Sequence, residues 1–125
     1  MRSGWLLRDG DVVCALEMTD SRSERRRGWQ GCETDAGQVG HAGQVGQAGA
    51  LHHQGARAVH TAARSRPVDV AFLSEDLRVL RLARLDPWRL ALGRRGARSA
   101  LEAEAGSMER WGIRVGDQLE IRQVP

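Results

Sequence analysis

The clearest alternation along the chain is Leu119-Glu120-Ile121-Arg122, which places two apolar side chains on one face and two charged ones on the other. That period of two predicts a half-exposed strand ending near Pro125. Val68, Val70 and Phe72 alternate with Asp69, Ala71 and Leu73, predicting a strand apolar on both faces with Asp69 as its polar exception. Val12 to Leu16 is an apolar run of strand length after the Asp9-Gly10-Asp11 turn signal, preceded by a loose start. Ala50 to His53 and Arg57 to Thr61 read as short extended segments separated by Gly55, and Ala97 to Ala103 as a further strand ending at Gly106. Leu77 to Leu85 fits a strand and a helix about equally.

Two short helices are predicted. Ser21 and Glu24 have the spacing of a capping box ahead of Arg25, Arg26 and Arg27, with Gly28 and Gly31 as stops. Ser107 can cap a turn through Met108 to Trp111, and Gly112 supplies a left-handed stop. Between 33 and 49, Ala36-Gly37-Gln38-Val39-Gly40-His41 is echoed by Ala42-Gly43-Gln44-Val45-Gly46-Gln47. Two copies are too few for a solenoid, so a flexible Gly/Gln-rich loop is expected. The expectation is one mainly β domain, with a core from about 12 to 122. Six or seven short strands would form a small β-barrel or β-sandwich.

Composition changes the picture chiefly through arginine. All 19 basic residues are Arg, with no Lys, Asn or Tyr, which reads as the codon bias of a GC-rich genome and discounts the net charge of +3 as a sign of an anionic ligand. Two cysteines, Cys14 and Cys32, are too few for a disulfide scaffold or a cysteine zinc site, although a bridge between them is geometrically open. The chain lacks a signal-like or membrane-spanning apolar run, which gives a cytoplasmic expectation.

The sharpest candidate site is Arg57, His60, Thr61 and Asp69, an imidazole, a hydroxyl and a carboxylate with an anion-binding arm, on segments expected to neighbour one another. The competing reading makes Asp69 and His60 hydrogen-bonded structural groups. A metal centre among His41, His52, His53, His60 and Cys32 is disfavoured, because adjacent histidines on a strand face opposite ways; neither metal nor cofactor is expected. Arg22, Arg25, Arg26 and Arg27, with Arg94, Arg95 and Arg98, permit weak nucleic-acid binding, but poor aromatic interleaving argues against specific recognition. Cys14, in an apolar strand, is expected to be inert and Cys32 more exposed; the tryptophans at 5, 29, 88 and 111 read as packing anchors.

Several separated segments together resemble the domain of unknown function 192 family of bacteria and archaea. They are Arg27-Gly28-Trp29-Gln30-Gly31, Val59-His60-Thr61, Pro67 to Leu73, Ala100-Leu101-Glu102 and Trp111 to Asp117, in the family's order. The resemblance implies a compact, mostly β fold and tips Leu77 to Leu85 toward a strand. Ala62-Ala63-Arg64-Ser65 departs from the aromatic and methionine usual after the His-Thr pair, and the Gly/Gln loop is longer than usual. The family brings no established activity. The functional expectation is therefore a non-catalytic module binding a small ligand or a protein partner, as a monomer or weak homodimer. The alternative is an enzyme moving protons with His60 and Asp69.

Overall fold

The computed structural model describes residues 2–19 and 49–125. The chain begins in a strand, β1 (Arg2–Arg8), where the sequence suggests a loose start. Asp9 and Gly10, both at positive φ, turn it directly into β2 (Asp11–Thr19), with Arg8 opposite Asp11. This is the two-residue Asp-Gly hairpin favoured by strand twist. The strands β3 (Ala50–Gln54), β4 (Ala58–His60), β5 (Val68–Leu73), β6 (Val79–Leu85), β7 (Leu90–Leu92) and β8 (Ser99–Glu104) follow, then one helix, α1 (Ser107–Trp111), and β9 (Leu119–Gln123). The expected basic helix at 21–27 and the Gly/Gln loop up to 48 lie outside the described residues, so among those described α1 is the only helix.

Seven strands form one sheet in the order β6-β5-β8-β3-β2-β1-β9, and β4 pairs with β7 in a separate ribbon. Every described pairing is antiparallel except β2 with β3. The barrel expectation needs correction. The sheet curls until its edge strands meet at one end, where Arg78 bridges Gln118 and Val79 N–H donates to the Asp117 carbonyl, but β6 and β9 do not pair along their length. The result is an open seam beside β6. A closed barrel would need continuous pairing around its circumference.

Strand alternation then sorts the side chains. On the interior face Leu6, Leu16, Met18, Ala50, Leu73, Val79, Leu101 and Leu119 form a core to which all seven strands contribute, and Met108 of α1 packs into it. On the other face Val68, Val70, Phe72 and Ala100 pack against Val59 and Ala91 of the β4–β7 ribbon. This explains why β5 reads as apolar on both faces: every one of its six residues is buried. Two of the tryptophans differ from the expected anchors: Trp111 packs on the interior core, but Trp5 and Trp88 are exposed.

Candidate functional site

Asp69 lies on the interior face of β5, opposite Arg84 on β6. Its Oδ1 accepts a hydrogen bond from Arg84 Nε at 3.0 Å, and its Oδ2 accepts two from the backbone N–H groups of Gly106 and Met108, at 2.9 and 3.1 Å. The carboxylate therefore caps α1 from another part of the chain. Ser107, read from the sequence as the cap, instead begins the helix, and its hydroxyl accepts from Arg110. Gly112 supplies the expected left-handed stop at φ 70°. Replacing Asp69 with alanine orphans two backbone donors, one of them buried, and lowers stability by about 2 kcal/mol in urea unfolding. A loss within ~0.5 kcal/mol would mean that α1 does not depend on this carboxylate.

The seam between β6 and α1 forms a groove of about 440 Å³. Leu82, Met108 and Ile113 give it an apolar lining, with Asp69, Arg84, Glu109 and Arg114 as charged members. Hydrogen bonding to Asp69, and then its charge, hold the Arg84 guanidinium above its ordinary pKa, so that group is a permanent cation. Asp69 engages it through Nε, and the Arg84 side chain as a whole is about half exposed.

The other three sequence candidates lie on the β4–β7 ribbon, across the sheet from the Asp69 side chain. Thr61 is fully buried: its hydroxyl donates to the Asp86 carbonyl at 2.6 Å and accepts from Arg89 N–H at 2.9 Å, tying down the turn before β7. His60 is exposed, with Nδ1 accepting from Ala62 N–H, and exposed Arg57 uses its carbonyl to accept from Gly93 N–H. The structure thus groups Arg57, His60 and Thr61 and separates them from Asp69.

Sequence reasoning missed a buried polar chain under the ribbon. Thr19 Oγ1 lies 3.0 Å from His53 Nδ1, and His53 Nε2 lies 2.7 Å from Glu102 Oε1. Arg64 donates to Glu102 Oε2 at 3.1 Å. An ionised carboxylate only accepts, so Nε2 carries the proton in this pair. The order of hydroxyl, imidazole and carboxylate resembles a nucleophile relay. Thr19, His53 and Glu102 are each at most 3% exposed, however, and Arg64 neutralises the carboxylate, which marks the chain as a structural network. The available signals were Glu102 between apolar neighbours and the paired histidines.

His52 points to the opposite face from His53, into the interior, and neither of its ring nitrogens has a hydrogen-bond partner. Burial, reinforced by the neighbouring His53 and Arg2, pulls its pKa from 6.5 down to about 4. Burial also pushes the Cys14 thiol up to about 12, so it stays protonated at neutral pH; Cys32 and His41 lie outside the described residues. Among the described residues no three His, Cys, Asp or Glu side chains converge as a metal site, and no helix is long and apolar enough to cross a membrane.

Comparison with known proteins gives the fold a wider setting. A protein of unknown function from Novosphingobium aromaticivorans DSM 12444 superposes with a TM-score of 0.67 at 17% identity, covering 94% of this chain and 83% of that one. A protein of Sinorhizobium meliloti 1021, provisionally described as a transcription regulator, gives 0.69 at 19% identity, covering 96% of this chain and 92% of its own. At such identities the likeness concerns the fold alone. A UPF0127 protein of Pyrococcus furiosus is 35% identical over 63 residues, a stretch that covers 50% of this chain and 54% of that relative. The family described as DUF192, uncharacterized ACR, matches residues 6–121, from the first core leucine of β1 into β9, and the chain belongs to it.

Proposed function

We propose that this protein is a non-catalytic module that binds a small amphipathic molecule in the groove between β6 and α1. The observation that carries this reading is the 440 Å³ groove itself, opened by the unclosed seam of the sheet and lined by apolar side chains beneath a fixed guanidinium. Its volume falls in the usual range of ligand pockets, and apolar side chains with a few placed polar groups are their usual composition. The Arg84 fork is suited to a planar acceptor such as a carboxylate, with Leu82, Met108 and Ile113 receiving an aliphatic body. Asp69, its oxygens engaged by Arg84 and α1, positions the guanidinium and leaves the ligand contact to it.

Titration with straight-chain monocarboxylates from butanoate to octanoate, followed by amide and methyl chemical shifts, tests this. Shifts should concentrate at Leu82, Met108 and Ile113 and strengthen with chain length. The half-exposed Arg84 can be replaced by methionine without opening the core, and this weakens binding about tenfold. Shifts scattered over the surface, or unchanged affinity in Arg84→Met, would refute the reading.

A further inference from the structure

The β4–β7 ribbon turns an apolar face outward. Alternation sends Val59 and Ala91 inward and leaves Ala58, His60, Leu90 and Leu92 outside, where Leu90 is 64% and Leu92 62% exposed. Trp88, two residues before Leu90, is 67% exposed. Side chains exposed to that degree project from the surface and cannot be the walls of a pocket. Trp88 also has a φ of 62°, a left-handed conformation that bulky residues seldom adopt. Buried Thr61 enforces it: its carbonyl accepts from Trp88 N–H and its hydroxyl grips Asp86 and Arg89 on either side. Local strain is thus spent on holding an indole in water, the kind of observation that calls for an occupant.

Charge around this face is one-sided. Residues 55–68 and 87–98 contain seven of the 19 arginines and no acidic residue. Of the acids flanking them, Asp69 is turned to the opposite face of the sheet, and Asp86 stands at the turn. Arg57, Arg89, Arg94 and Arg95 are exposed around the patch, and the Arg81 guanidinium reaches the Leu92 carbonyl.

We propose that this ribbon face docks on an anionic lipid bilayer, with Trp88, Leu90 and Leu92 entering the headgroup boundary and the surrounding arginines pairing with lipid phosphates. Indole and leucine side chains ringed by cations are the composition of interfacial anchors. A nucleic acid would satisfy the arginines, but aliphatic leucines offer no stacking platform for bases. A flat acidic protein surface would likewise leave Leu90 and Leu92 without apolar partners. The surface lies across the sheet from the β6–α1 groove, so it stands independently of the ligand reading.

The test is co-sedimentation of the full chain with large unilamellar vesicles of phosphatidylcholine, alone or mixed with phosphatidylglycerol. The protein should pellet with the mixed vesicles and remain in solution with the neutral ones. Arg94→Gln with Arg95→Gln should weaken partitioning about twentyfold, since each arginine at such a surface contributes about fivefold. Leu90→Ser with Leu92→Ser should weaken it on the order of tenfold or more. These positions are exposed, so the variants should melt like the parent, which a thermal scan checks. Failure to pellet with anionic vesicles overturns the proposal. A loss confined to the arginine variant also overturns it, in favour of a general polyanion surface, duplex DNA included.

Discussion

Replacing Glu102 with alanine lowers the unfolding free energy by about 3–5 kcal/mol. The carboxylate is 1% exposed and joins His53 at 2.7 Å to Arg64 at 3.1 Å, both largely buried. Its removal takes the carboxylate from beside a largely buried guanidinium and leaves the buried His53 Nε2–H without its acceptor, and that desolvation cost dominates the loss. Urea unfolding at neutral pH measures it. Glu102→Gln, which keeps an accepting oxygen, should lose less, and Glu102→Leu combined with Arg64→Met should recover much of the deficit, because replacing a whole buried ion pair by apolar volume is close to neutral. A Glu102→Ala loss below ~1 kcal/mol would show that water reaches the network.

The second large effect is a dependence on pH centred on His52. Its folded pKa of about 4 lies below the 6.5 of the unfolded chain, so at pH values between them the unfolded state binds the extra proton. Above about pH 6.5 the ring is neutral in both states and stability is unaffected. As pH falls below that, stability declines, and by pH 4 the loss attributable to this one ring reaches about 3 kcal/mol. Other carboxylates titrate in the same range, so the comparison that isolates the ring is His52→Leu against the parent. Leucine leaves no orphaned ring nitrogens in the interior, and the variant should match the parent or exceed it at pH 7. Its advantage should then grow steadily toward pH 4. Parallel stability profiles for the two proteins would contradict a buried, neutral His52.

What the sequence revealed and what it hid divide along the reach of the interactions. β5 and β9 were legible through their alternation, β2 through an apolar run after a turn signal and β3 as a short segment bounded by Gly55, all of them local signals, and Gly112 was legible as a helix stop because only glycine takes that conformation cheaply. β1 was not, because its partners include β9 at the far end of the chain, and no local pattern announces such a pairing. Asp69 was legible as unusual, yet its role depends on residues 37 and 39 positions away. Thr61 stood out in the sequence as a hydroxyl, but the turn it supports is built from residues 86–89, far along the chain. The Thr19–His53–Glu102–Arg64 chain draws on four segments that the sheet alone brings together, so no spacing rule could expose it.

The pairing of β1 with β9 also bears on how the molecule acquires its shape. Gly4 faces Gln123 across the sheet, so that contact closes the loop from residue 4 to residue 123 and is entropically the most expensive of the described strand pairings to form. During synthesis, the outer edge of the β1–β2 hairpin must wait for its neighbour until β9 leaves the ribosome. Its N–H and C=O groups are open meanwhile to pairing with another nascent chain. Solubility in the cell should therefore respond to the rate at which residues 119–123 are supplied.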